Sequence, residues 1–172
     1  MSDVIVREAT KNDAALIADL SRKTFYETFA SQNTKENMER FMNEQFTLEK
    51  LRQEVGEENN FFLVAERYGE AVGYARLREG GNPKELHDLP AIEIARIYSV
   101  QSLIGKGVGR ALMQKCIELA GERGKQVIWL GVWEQNHHAI SFYEKWGFEI
   151  FAEHDFVLGN DVQKDWLMKK VI

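Results

Sequence analysis

Cysteine is almost absent from this 172-residue chain. Cys116 stands alone, so no internal disulfide can form, and its position inside an apolar-periodic stretch makes it a core thiol. Also missing is any apolar run near the ~18 residues that a membrane span requires. The opening Met1-Ser2-Asp3 is too polar to begin a signal peptide. These absences lead us to expect a cytoplasmic protein without membrane association. No basic block is present either: the net charge is −5 and the isoelectric point about 5.5. Nothing in the chain is suited to displacing counterions from nucleic-acid phosphates, and no helix-turn-helix carries a basic face, so direct nucleic-acid binding is not expected. Linkers rich in proline and serine, repeats and low-complexity tracts are lacking. With 44% hydrophobic residues, the chain can bury a core as one domain over residues 1–172.

What is present is patterned. Val4 to Arg7 reads as a strand. Thr10, with Asp13 three residues on, reads as a capped helix start, and that helix turns Ile17, Leu20, Phe25 and Phe29 inward. Further helices are expected from Lys35 and from Leu48. Phe61 to Arg67 and Ala71 to Leu77 predict a hairpin about Tyr68-Gly69-Glu70, followed by a loop at Gly80-Gly81-Asn82-Pro83. Ile92 to Ser99 is a buried strand, Gly107 to Arg123 an amphipathic helix, and Gln126 to Val132 another strand. This strand-helix-strand unit makes its two strands parallel. Phe148 to Leu158 and Val162 to Lys170 close the chain as a hairpin about Gly159-Asn160-Asp161. The acidic clusters Glu36, Glu39, Glu44 and Glu54, Glu57, Glu58 read as solvated helix faces, with a long-range preference for cationic substrates as the lesser alternative.

Between the buried strand and the amphipathic helix lies Ile104-Gly105-Lys106-Gly107-Val108-Gly109-Arg110-Ala111-Leu112. Alternating glycines let the backbone come close to a ligand and take positive φ, while free N–H groups at a helix start attract anions. The spacing fits neither the dinucleotide fingerprint, whose last glycine would fall on Arg110 or Leu112, nor a P-loop, which needs Lys-Ser/Thr where Arg110-Ala111 stand.

The stretch resembles the pyrophosphate loop of the GCN5-related N-acetyltransferase (GNAT) family, Gln/Arg-x-x-Gly-x-Gly/Ala, through Gly107 and Gly109. Ile104 departs from the Gln/Arg position, and Gln101 is three residues out of register. Lys106 and Arg110 can supply the positive charge. Downstream, Asn136-His137-His138-Ala139-Ile140-Ser141-Phe142-Tyr143-Glu144-Lys145-Trp146-Gly147-Phe148 resembles the family's second motif, Asn-x-x-Ala-x-x-x-Tyr-x-x-x-Gly-Phe. Thr24 to Phe29, Gln32 to Met38, Arg96-Ile97-Tyr98 and Trp129 to Glu134 resemble the PaiA-type polyamine acetyltransferase branch, so the likeness runs over nearly the whole chain.

The resemblance implies an α/β (α+β) fold, a mixed and mostly antiparallel sheet with one parallel strand-helix-strand unit, flanked by helices. It implies acetyl-coenzyme A as co-substrate, no metal, and transfer to a primary amine, with spermidine or spermine foremost. Coenzyme binding then falls to Gly105, Lys106, Gly107, Val108, Gly109 and Arg110, to main-chain groups of Ile97, Tyr98 and Ser99, and to Asn136 and Tyr143. Asn136 is equally a helix cap. His137 and His138 have no Cys or acidic partner at ligand spacing and read as solvated first-turn residues.

Attack on a thioester requires a neutral amine, and an alkylamine of pKa ~10.4 is neutral in about one molecule in 2,500 at pH 7, a deficit of about 4.6 kcal/mol. Glu93, on the strand before the loop, is the first candidate base, with Glu134 or a water relay as rivals. Tyr143 is the candidate acid for the departing thiolate. Tyr26, Glu27, Glu36, Tyr98 and Glu134 are candidates to line the amine channel, where aromatic faces and carboxylates suit a flexible polycation. The alternatives are another small amine, a protein amino group, or an acetyl-coenzyme A sensor in transcriptional control. Homodimer formation is left open.

Overall fold

In the computed structural model, the described residues are 3–172; Met1 and Ser2, part of the polar opening, lie outside them. Seven strands form one sheet in the order β1-β2-β3-β4-β5-β7-β6. They are β1 (Val4–Glu8), β2 (Asn60–Arg67), β3 (Glu70–Arg78), β4 (Ala91–Ser99), β5 (Val127–Trp133), β6 (Glu149–Leu158) and β7 (Asp161–Val171). Five α-helices accompany them: α1 (Ala14–Phe29), α2 (Lys35–Gln45), α3 (Leu48–Gly56), α4 (Val108–Glu122) and α5 (His137–Lys145). β4 and β5 pair in parallel, as a crossover through α4 demands, and the other neighbouring pairs are antiparallel. No helix among the described residues is long and apolar enough to cross a membrane.

Short-range chemistry fixes the element ends. Tyr68 and Gly69, both at positive φ (52° and 80°), make the two-residue turn between β2 and β3. Thr34 and Thr47 cap α2 and α3 by accepting from Asn37 N (3.1 Å) and Lys50 N (3.2 Å). At the head of α1, a short 3-10 turn intervenes, where Asp13 Oδ2 accepts from Thr10 N at 2.8 Å. Asp13 also takes two hydrogen bonds from Arg7 (2.8 and 2.9 Å), and this guanidinium holds its carboxyl down at about 2.

Side chains that alternate along β3 separate the two faces of the sheet. Gly73 faces α4: a Cβ there would stand 2.8 Å from Val108 Cγ1 and 2.7 Å from Tyr98 O, so only glycine lets the helix sit this close. Tyr74 and Arg76 face the other way, towards α1 and α3. On the α4 side, Leu112, Met113 and Cys116 are sealed from solvent, and burial pushes the Cys116 thiol up to about 12.

On the α1 and α3 side, one acidic residue departs from the solvated-face expectation. Glu54 is 5% exposed and receives two arginines, Arg76 Nη1 at 3.1 Å and Arg96 Nη1 and Nη2 at 2.9 and 3.1 Å. Asn60 closes the cluster, accepting from Arg76 Nε at 2.9 Å and donating to Glu54 O at 3.0 Å. Helical phase explains the difference: Glu54 lies three residues beyond the buried Leu51, on the helix face that meets the sheet. Burial, reinforced by neighbouring Arg96, lowers the Arg76 guanidinium to about 10.

Removing this shared carboxylate leaves two buried cations facing each other. Glu54→Ala is therefore expected to cost about 3–5 kcal/mol of stability, read as a lowered midpoint in urea denaturation. A change within about 0.5 kcal/mol, the usual range for a surface substitution, would show the cluster to be unimportant.

Candidate active site

β4 and β5 remain paired only from Ala91↔Val127 to Ile94↔Leu130. The next residue, Ala95, is a bulge: β3 aligns Arg76 with Arg96 but Leu77 with Ile94. Past it, β4 continues with β3 as far as Gly73↔Ser99, while β5 continues with β7 through Gly131↔Leu167 to Trp133↔Asp165. A wedge thus opens between two central strands, and Gly131, in the middle of the sheet, is exposed to solvent.

The main chain lining this wedge has a definite polarity. Val100 N donates to Val72 O at 2.9 Å, so Val100 bonds to β3. By the alternation of an antiparallel ladder, Tyr98 does the same, and the N–H groups of Ile97 and Ser99 turn towards β5. Of the three main-chain donors expected, at Ile97, Tyr98 and Ser99, the Tyr98 N–H is turned to β3 instead, and the wedge leaves those of Ile97 and Ser99 without a strand partner.

At the open end of the wedge, both strands run into helix N-termini. Gly105 (φ 81°) and Gly107 (φ 96°) turn the chain, and Gly107 caps α4. The first intrahelical bond is Ala111 N to Gly107 O at 3.0 Å, so the N–H groups of Val108, Gly109 and Arg110 precede it and face out of the helix end. A Cβ at Gly109 would only touch the Phe142 ring at 3.5 Å, so neither φ nor the protein's own packing requires glycine there. Lys106 and Arg110 are exposed beside it, as is Ile104. The loop fits a diphosphate: bare backbone, free donors and two cations converge.

On α5, Asn136 Oδ1 accepts from Ala139 N at 3.3 Å, so this residue is a cap, with its amide N–H groups outside that bond. Tyr143 is buried, its ring 5.6 Å from Phe142 and 5.9 Å from Phe148. Burial, reinforced by nearby Cys116, raises its phenol, which keeps the proton at neutral pH. Tyr98 stacks on Tyr74 at 6.1 Å; burial, then Tyr74 and Tyr143, raise its phenol in the same sense. His137 and His138 are exposed, and the described residues contain no group of three potential metal ligands.

The remaining expected residues are dispersed. Glu93 sits in the closed part of the strand pair, opposite Trp129, and its Oε1 accepts from Arg78 Nε and Nη2 at 2.9 and 2.5 Å. Glu27 Oε1 accepts from Gln101 N at 3.1 Å, tying α1 to the turn that leads into the glycine loop. Tyr26 is exposed on α1, and Glu36 is exposed on the first turn of α2. Glu134, at the end of β5, is half-buried and donates its N–H to Lys164 O at 3.1 Å.

One residue at the wedge escaped the sequence reading. Asp165, on β7 opposite Trp133, has Oδ1 buried without a hydrogen-bond partner. Its Oδ2 is 3.9 Å from His154 Nε2 and would lie 3.5 Å from a Cβ on Gly131. Burial pushes this carboxyl up to about 6 against the pull of His154. The available signal was phase: Asp165 alternates with Leu167, so the period of two puts it on the inward face.

The Acetyltransferase (GNAT) family matches residues 19–148. An uncharacterised N-acetyltransferase from the pepI 3' region of Lactobacillus delbrueckii subsp. lactis is 36% identical over 172 residues, covering 100% of this chain and 99% of the relative. The spermidine N(1)-acetyltransferase of Thermoplasma acidophilum is 24% identical over 149 residues, covering 84% of this chain and 88% of that protein. The crystal structure of the PaiA N-acetyltransferase from Thermoplasma acidophilum, in complex with coenzyme A, superposes with a TM-score of 0.81 at 23% identity over 100% of both chains. The chain belongs to the GNAT family of acetyltransferases, and it is an acetyl-coenzyme A-dependent N-acetyltransferase.

Proposed function

We propose that this N-acetyltransferase, read as one domain over residues 1–172, acetylates a primary amine of a polyamine such as spermidine or spermine by direct attack in a ternary complex. The observation that carries the reading is the wedge itself. It brings a protonated phenol, unpaired main-chain donors and a buried carboxylate to the two sides of one gap. The net charge of −5 favours a cationic acceptor. Tyr98 and Trp133, which packs 5.7 Å from Phe29, offer aromatic faces to alkylammonium groups, with Glu27 beside the turn that follows β4 and Glu134 just past the end of β5, both at the open end of the wedge. The spermidine activity named for the Thermoplasma relative supports the same acceptor class.

Acetyl-coenzyme A supplies an acyl group on a thiol leaving group. The N–H groups of Val108, Gly109 and Arg110, with Lys106 and Arg110 beside them, would hold its diphosphate, and Asn136 would add a side-chain donor. Ile97 and Ser99 N–H groups, aimed into the wedge, would polarise the acyl carbonyl. The Tyr143 hydroxyl gives its proton to the departing sulfur; a phenol raised by burial remains a donor over the whole neutral range.

Thiol release with spermidine, spermine and a lysine peptide, followed by mass spectrometry of the product, tests the acceptor class. Transfer to the peptide alone would overturn the polyamine assignment. Tyr143→Phe is expected to lower kcat by about 100-fold while weakening acetyl-coenzyme A far less in calorimetry. An undiminished kcat removes its role. Lys106→Glu combined with Arg110→Glu is expected to weaken acetyl-coenzyme A about tenfold or more, with the larger effect at low salt. The melting temperature should hold, because both side chains are exposed and acids suit a helix N-terminus.

A further inference from the structure

Glu93, the carboxylate that sequence reasoning puts first, has one oxygen engaged by two N–H groups of Arg78 and sits where β4 and β5 are still paired. Asp165 is placed differently. It projects from β7 on the same face as Gly131 and Trp133 of β5, where β5 has already left β4. Gly131 is exposed and presents no side chain between the gap and Asp165, whose Oδ2 would lie 3.5 Å from a Cβ there. Its Oδ1 is buried and accepts nothing, a costly state unless a donor arrives during function. From across the wedge, Tyr98 is near enough for the Asp165 charge to raise its phenol, and Tyr98 is coupled in turn to Tyr143.

We propose that Asp165 is the catalytic base: Oδ1 receives the amine substrate as an ammonium and takes one proton from it, on the opposite side of the wedge from Tyr143. This deepens the N-acetyltransferase reading and rests on it. The ammonium has two protons to lose. The first passes to Asp165 Oδ1 and leaves to water by way of His154, whose ring is half exposed 3.9 Å away. As the nitrogen–carbon bond forms and the carbon–sulfur bond breaks, the Tyr143 proton goes to the sulfur. The second nitrogen proton restores the phenol, so one proton ends in solvent and one on the thiol.

The surroundings favour this task. His154 on β6 faces Asp165, β5 presents Gly131 and Trp133 there, and β4 presents Tyr98, whose raised phenol keeps its proton. Lys164 lies on the opposite face of β7, paired with Glu153 at 3.2 Å, and among the described residues the one basic group that faces the carboxylate in an ion-pair contact is His154. Burial has moved the carboxyl from 3.8 to about 6, which makes it a stronger base by roughly a hundredfold. A raised carboxyl must lose its proton to act, so activity is present above that value and falls as the pH drops through about 6.

The test compares wild type with Asp165→Asn over pH 5 to ~10.4, the upper limit set by the amine's own pKa. For each, kcat/KM is measured with an amine accepted by wild type from a panel of spermidine, an arylalkylamine and a lysine peptide. Wild type is expected to show a plateau from about pH 6 upward, because carboxylate and ammonium coexist there. Asp165→Asn can use only amine that is already neutral, so its rate should rise about tenfold per pH unit, with the largest deficit at neutral pH and recovery near the amine pKa. Asp165→Glu should restore the plateau at a reduced rate. The melting temperature of Asp165→Asn at neutral pH should be unchanged or raised, since a buried unpaired charge is gone. A wild-type plateau retained in Asp165→Asn, or a fall in melting temperature with the pH profile unmoved, overturns the assignment. If spermidine is inert but another amine is accepted, the polyamine reading fails while Asp165 is still judged on that amine. Inertness of wild type with every amine overturns both.

Discussion

Two parallel strands that stop pairing halfway along the middle of a sheet leave main-chain donors and acceptors facing a gap. Buried peptide groups do not stay unpaired without cost, and sheets normally avoid the situation. Here the separation begins where the Ala95 bulge ends the Ile94↔Leu130 pairing. β4 keeps β3 and β5 keeps β7, so each strand retains one neighbour and the fold survives the opening. The N–H groups of Ile97 and Ser99 are left with hydrogen-bonding capacity that no strand of the sheet meets.

Holding the wedge open requires rigid edges on both sides. Glu54 and its two arginines join α3 to β3 and β4, the strands on one side. On the other side, the β6–β7 hairpin is fastened to α2 and the segment before it. Asn160 N donates to Asn37 Oδ1 at 3.2 Å, and Gln163 Nε2 donates to Asn33 Oδ1 at 2.9 Å. Gly159, at φ 62°, allows the tight approach, for a Cβ there would collide with Asn37. α4 presses on the opposite face through Gly73, which fixes its N-terminus relative to the ends of β4 and β5.

Elements whose residues obey a strong period were legible from sequence: α2 and α3 begin at Lys35 and Leu48 as expected, and β4, α4 and β5 follow the crossover pattern. The turn at Gly107 was legible because a positive φ leaves glycine there as a visible trace. The wedge was not legible, since Ala95 carries no mark of a bulge and Leu130 none of a last pairing. Glu54 was misjudged because local acidity says nothing of the two arginines that arrive from strands 22 and 42 residues later in the chain. The Asp165 environment is likewise assembled from β5, β6 and β7, so no short motif contains it. Local patterns carried the turns, caps and periods of the elements; environments assembled by the sheet left no trace in any short stretch.

The sealed position of Cys116 has a practical meaning for anyone following turnover. A disulfide-exchange dye added to the folded protein meets no reactive sulfur of the enzyme's own, because the one cysteine is walled in and remains a thiol. Colour then counts liberated coenzyme against a dark background, and the catalyst serves as its own blank.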